Sequence, residues 1–145
     1  MAGANFDILK FLFAWGLMAV CVAGHAIGVT VAIHTLRHLY SVSHRLWQWM
    51  WLFTRLAGWM ILIHLLEISV WGLFYAWQGA MPNLESALYF SGVTYTTTGY
   101  GDLVLPSNWR LVGAVEALTG ILMCGWSTGF FFAVANRMIE EKART

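Results

Sequence analysis

The sequence predicts an all-α membrane protein with three spanning helices and one short re-entrant helix. Three observations carry that class. The chain is 59% hydrophobic and only 10% charged, whereas a soluble domain is about 25% charged. Three apolar runs, 6–36, 49–77 and 109–135, each reach the ~20 residues that a spanning helix needs. The connection 78–108 between the second and third runs holds a helix-like stretch too short to cross, followed by the polar run TYTTTGYGDL at 94–103.

The first element, 1–36, is read as a retained spanning helix. Lys10 is its one early positive charge, and the apolar run after Phe11 continues too long without an A-x-A site for a cleaved leader. Gly24 and Gly28 form a GxxxG pair, which predicts tight packing on another helix. Arg37 is a single charge at the far end, so the regular arginine spacing of a voltage sensor is missing. Residues 37–48 form a loop carrying Arg37, His38, His44 and Arg45, and the tail 136–145 carries Arg137, Lys142 and Arg144. The other side has only Lys10 and Arg110. Positive charge gathers on the cytoplasmic side, so the loop and tail are expected inside, and the N-terminus and 78–108 outside. Trp47, Trp49 and Trp51 make the expected inner aromatic belt, and Trp71, Tyr75, Trp77 and Trp109 the outer one.

The second unit, 49–135, comprises the second helix 49–77, the short helix 83–95, the segment 97–102 and the third helix 109–135. Asn83 suits an N-cap after Pro82, and Glu85 sits in the first turn, facing the positive end of the helix dipole. At 1.5 Å per residue this helix is about 20 Å long, too short to span. Non-helical backbone at membrane depth survives only when buried in protein or lining a wet cavity. The glycine-containing segment after the helix must therefore face something polar.

Thr97-Thr98-Gly99-Tyr100-Gly101-Asp102 resembles the selectivity filter of the tetrameric potassium channels built on a two-helix pore-loop unit. The resemblance covers 49–135 and leaves the first helix as an addition. It implies that four such segments line a pore, their carbonyl oxygens replacing the water shell of K⁺. It implies ion-binding positions at Thr97, Thr98, Gly99, Tyr100 and Gly101, with K⁺ held at the first four, and an outer mouth at Asp102. K⁺ is then the bound and transported ion, and no other cofactor is expected. Glycines fit because some residues of such a strand take φ values closed to side chains with a Cβ.

Two departures from the family pattern stand out. Thr98 replaces the usual Val or Ile. Val93 occupies the position where the simplest bacterial members carry a carboxylate that pairs with the aspartate after the filter. Glu116, two turns into the third helix, is expected to compensate by forming a polar network behind the filter with Thr94, Thr96 and Thr98. The alternative for Glu116 is an interfacial group near water. By the same alignment Gly120 falls at the bend of the inner helix, as a hinge or a packing point. Ala117, Ile121, Cys124 and Thr128 share one helical stripe and are expected to line the cavity. Gly113/Ala117 and Gly125/Gly129 are small-xxx-small pairs.

One filter segment per chain implies a homotetrameric pore, with three identical subunits and the bilayer as partners. The net charge of +1 gives no reason to expect nucleic acid. Cys21 and Cys124 lie in apolar runs without metal or disulfide spacing. The short tail leaves no room for a soluble regulatory domain. The expected location is the plasma membrane, the inner membrane in a bacterium. His34, His38 and His44 lie near the cytoplasmic face, as pH sensors or plain interfacial groups. His64 and Glu67 lie one turn apart and are expected to pair, and Arg55 is expected to snorkel.

Passive conduction, with no enzymatic step, is the expected activity. Three competing functions are a non-selective cation channel, a non-conducting pore-fold protein and an intramembrane serine hydrolase. The last rests on GWSTG at 125–129, which matches G-x-S-x-G with His25 or His64 as base. That motif needs a strand-turn-helix setting, which an apolar spanning helix does not offer.

Overall fold

The computed structural model describes residues 8–39 and 46–143, with side chains over 8–36 and 47–140. Arg37, His38, His44, Arg45, Lys142 and Arg144, on which the expected orientation rests, lie outside the described side chains. Four helices follow in order: α1 (Ile8–Leu39), α2 (Leu46–Trp77), α3 (Leu84–Tyr95) and α4 (Arg110–Ala143). No strand occurs among the described residues, and 97–102 is irregular backbone rather than a ladder-forming strand.

Three helices are long and apolar enough to cross a membrane, over Ile8–Leu36, Trp47–Trp77 and Arg110–Glu140. They alternate in direction. Near one end Leu9, Leu12 and Phe13 of α1 line a groove with Leu73, Phe74 and Trp77 of α2. Near the other, Val31, Ala32 and Thr35 share one with Leu52, Leu56 and Trp59. Lys10 Nζ stands 4.6 Å above the Trp109 ring, so α1 and α4 begin at the same end of the bundle. The short helix α3 packs mainly on α2 and also on α4.

The interior is built in layers. One apolar cluster, containing Ala14, Cys21, Trp71, Phe74, Trp109 and Met123, fills the end near α3. A second, containing Val29, Leu36, Met60, Ile63, Phe130 and Val134, fills the opposite end. Between them, in each of the three long helices, sit buried or half-buried polar groups: His25, His64, Glu67 and Ser127. Glu67 lies ten residues before Trp77, about 15 Å along the helix. That is half the ~30 Å hydrocarbon thickness.

The expected outer aromatic belt is corrected in part. Trp77 is exposed, but Trp71, Tyr75 and Trp109 point into the core. Tyr75 and Trp109 find partners there in α3 and Lys10. Tyr75 stacks edge-on to Phe90 of α3, and Trp109 meets Phe74. Of the GxxxG pair only Gly28 makes a close approach: a Cβ there would lie 2.3 Å from Ile63 Cδ1, while nothing lies near Gly24.

Candidate functional site: the short helix and the segment after it

The site begins with a well-capped short helix. Asn83 has extended backbone, and its Oδ1 accepts the Ser86 N–H at 2.8 Å, as its type and place predict. Glu85 lies in the first turn. Twelve residues give about 18 Å of helix, so α3 ends inside the span of its neighbours.

Its C-terminus is a Schellman ending. Thr97 N–H bonds the Thr94 carbonyl at 2.9 Å, and Thr98 N–H bonds the Val93 carbonyl at 3.0 Å. The residue in the left-handed position is Thr97, with φ 58°. A β-branched residue is an outlier there. Gly99 (φ 58°) and Gly101 (φ 76°) are left-handed too, whereas Thr98 and Tyr100 are not among the positive-φ residues. Left-handed backbone at every second position turns successive carbonyls away from the alternation of a regular strand. Thr96, Thr97, Thr98, Gly99, Tyr100, Gly101 and Asp102 are all exposed in the single chain.

Gly120 places α4 against the end of this helix. A Cβ there would lie 1.9 Å from the Tyr95 carbonyl oxygen and 2.7 Å from its carbon. Of the two readings of Gly120, hinge or packing point, the geometry matches the packing point: a close backbone contact in an unbroken α4. Ile121, Cys124 and Thr128 are exposed and Ala117 is half-buried, so the stripe faces away from the other helices of the chain. Gly113 packs on Leu105, while Gly125 and Gly129 meet nothing within the chain.

Glu116 is fully buried, and its partners differ from those expected. Tyr75 Oη donates to its Oε2 at 2.8 Å, and Ser91 Oγ donates to its Oε1 at 2.5 Å. Thr94, Thr96 and Thr98 do not take part. Thr96 Oγ1 instead bonds back to the Gly92 carbonyl at 2.7 Å and meets Thr98 Oγ1 at 2.9 Å. The reason is position: Ser91 lies on the α3 face turned toward α2 and α4, whereas Thr96 and Thr98 have left the helix on its open side. Glu116 therefore ties α4 to α3 and α2 rather than bracing the segment 97–102 directly.

Asp102 has a partner that sequence reasoning missed. Tyr89 Oη donates to its Oδ2 at 2.8 Å. Tyr89 lies one turn before Val93 on the same face of α3, so its long side chain reaches where a carboxylate on the Val93 site would have stood. That hydrogen bond holds the Asp102 carboxyl below its usual range. The i, i+4 relation to Val93 was the available signal.

The mid-bundle polar layer was also only partly foreseen. His64 Nδ1 and Glu67 Oε2 are 3.4 Å apart, as the one-turn spacing predicts. His25 Nδ1 meets Glu67 Oε1 at 3.0 Å. Tyr95 Oη donates to Glu67 Oε2 and stands 3.1 Å from His64 Nδ1. Ser127 Oγ lies 3.1 Å from His64 Nε2 and 3.2 Å from His25 Nε2. The contacts close a ring through Glu67, His25, Ser127, His64 and Tyr95, drawn from all four helices. Ser127 thus does meet both histidines, but on a continuous helix whose backbone N–H groups serve the helix. The strand-turn-helix setting of a nucleophile elbow is missing there.

Residues 61–137, just over half the chain, match the model of a family described as ion channel. The chain belongs to that ion-channel family. The match spans the second half of α2, all of α3 and the segment after it, and α4 to Arg137. It has the domain type of two-helix potassium channels, with α1 lying outside it. This ion-channel chain is also similar to Protein LctB of Bacillus caldotenax, 29% identical over 113 residues that cover 70% of this chain and 83% of that protein. No solved structure matches it. Family and helices together make it a membrane protein.

Proposed function

We infer that the protein is a potassium-selective channel whose working unit is a homotetramer, with residues 97–101 of four subunits around one axis. The observation that carries this is the backbone of that segment. Left-handed φ at Thr97, Gly99 and Gly101 follows directly on a helix that stops inside the bundle. A ring of backbone carbonyls is the known solution for holding a dehydrated K⁺. The exposure of the segment and of the Ile121, Cys124 and Thr128 stripe supports the assembly, since neighbouring subunits would enclose both. We place the N-terminus and the α3 end of the bundle outside and the far ends of α1 and α4 in the cytoplasm.

K⁺ collects in the wet cavity beside Ala117, Ile121, Cys124 and Thr128, in the field of four α3 C-termini. It gives up water at Thr97 and passes Thr98, Gly99 and Tyr100 in single file. Asp102 stands at the outer mouth, held by Tyr89.

The test is flux through purified protein in liposomes under K⁺ and Na⁺ gradients, with Gly99→Ala as control. The substitution forces a Cβ into left-handed backbone, costing about 1–2 kcal/mol. K⁺ flux well above Na⁺ flux, lost in the control, is the expected result. Equal K⁺ and Na⁺ flux would make it a non-selective cation channel. No flux at any pH or voltage from an intact assembly would make it a non-conducting pore fold.

A further inference from the structure

We propose that His25, His64 and Glu67 form a binding site for a divalent transition metal of the zinc type, clamping α1 to α2 at the end of the pore helix. The three side chains offer two imidazole nitrogens and a carboxylate oxygen, all within 4.8 Å of one another. A four-coordinate ion with bonds of about 2.0–2.1 Å needs ligand atoms roughly 3.4 Å apart. The His25 Nδ1–Glu67 Oε1 and His64 Nδ1–Glu67 Oε2 separations are 3.0 and 3.4 Å. Tyr95 Oη, bonded to Glu67 and 3.1 Å from His64 Nδ1, is the neighbouring oxygen donor. Imidazole with carboxylate suits zinc and its neighbours, whereas calcium and magnesium prefer all-oxygen sets.

The surroundings fit such an ion. A metal-bound histidine nearly always donates its other ring N–H to a fixed acceptor, which orients the ring. With both Nδ1 atoms facing Glu67, both Nε2 atoms face the same acceptor, Ser127 Oγ, at 3.2 and 3.1 Å. Ser127 keeps its own proton for Met60 Sδ, 3.7 Å away. Every donor around the ion is then used. Glu67 supplies one negative charge to a bound dication. The site is filled from three elements, so occupation would fasten α1, which lies outside the pore-type domain, to the last residue of α3. The proposal rests on the fold of the chain and not on its conducting K⁺.

The test is equilibrium binding of Zn²⁺ alone to the full-length protein in detergent, with Co²⁺ absorption as a second readout. Wild type is expected to bind one ion per chain and to give the intense visible bands of four-coordinate Co²⁺. Glu67→Gln is the decisive variant. Its amide can donate to His25 and accept from Tyr95, so the hydrogen-bonded layer survives while the anionic ligand is gone. Zn²⁺ affinity should fall at least a hundredfold with helix content and oligomer size unchanged. Ser127→Ala keeps all ligands and should weaken binding 10–100-fold, and His34→Ala should leave it unaltered. Absence of stoichiometric binding to wild type overturns the proposal. So does unchanged affinity in Glu67→Gln or in Ser127→Ala.

Discussion

At the scale of single residues, three positions carry local conflicts with sharp consequences. Gly120 faces the Tyr95 carbonyl at a distance no side chain tolerates. Gly120→Ala must push α4 off α3, and overpacking against backbone costs about 1–3 kcal/mol or more. Thermal unfolding of the detergent-solubilised protein should show a clear drop in Tm, with Gly125→Ala, which meets open space in the chain, much milder. Thr97 is held in left-handed backbone by the Schellman bonds, a conformation that costs about 1–3 kcal/mol. Thr97→Gly should therefore raise thermal stability by about 1 kcal/mol while lowering K⁺ over Na⁺ selectivity in the flux assay, because the hydroxyl at the innermost site is lost. Asp102 is exposed, and its carboxyl is held low by the Tyr89 hydroxyl. A depressed carboxyl stabilises the fold above its free value and loses that contribution as pH falls through the lower, folded value. The Tyr89–Asp102 contact should thus be intact at neutral pH and open only in acid, below the usual aspartate value of 3.8. In Tyr89→Phe the Asp102 titration, followed by carboxyl NMR, should shift upward toward that value.

At the scale of elements, α3 is a short rod fixed at three points. Its start is capped by Asn83, its middle is bonded through Ser91 to Glu116, and its end is bonded through Tyr95 to Glu67. The middle point is the most demanding, because Glu116 is fully buried with Ser91 and Tyr75 on its two oxygens. Ser91→Ala leaves one carboxylate oxygen short of a donor, which costs roughly 1–3 kcal/mol. A urea or thermal midpoint shift of that size, with Ser69→Ala as an exposed control, checks it. The same element shows what could be read beforehand. Helices α1, α2 and α4 follow from runs of apolar residues, and α3 from a cap and a length, all of which are local. The left-handed backbone at Gly99 and Gly101 was legible from the glycines themselves, whereas that at Thr97, a β-branched residue, was not. The His64–Glu67 pair was legible because it lies within one helical turn. His25 was not joined to Glu67, and Ser127 was set beside the histidines only through the hydrolase motif, since these contacts cross 42 to 102 residues of chain and helical periodicity carries no information about which faces meet. The threonines were assigned to Glu116 for the same reason. Their number beside the filter was visible, but the side of α3 on which each emerges was not.

At the scale of the whole molecule, residues 96–102 and the Ile121, Cys124 and Thr128 stripe of α4 are exposed in the single chain, while other faces of the helices pack into its core. Native mass spectrometry of the detergent-extracted protein should give four chains per particle, and a monomer that retains full flux would end the tetramer proposal. Within each chain, the layering has a mechanical consequence. The polar band at mid-depth is matched across α1, α2 and α4 and flanked above and below by hydrocarbon. Sliding α1 along its axis by one turn, about 5.4 Å, would set His25 against an apolar layer and leave Glu67 facing one. His25 would then be a polar group buried without its partners, and Glu67 would keep Tyr95 and His64 but lose its partner on Oε1, at a cost of about a few kcal/mol together. Swinging or tilting α1 about that band breaks none of its bonds. The first helix is therefore keyed more firmly against a piston stroke than against a tilt, which the packing beyond the band opposes.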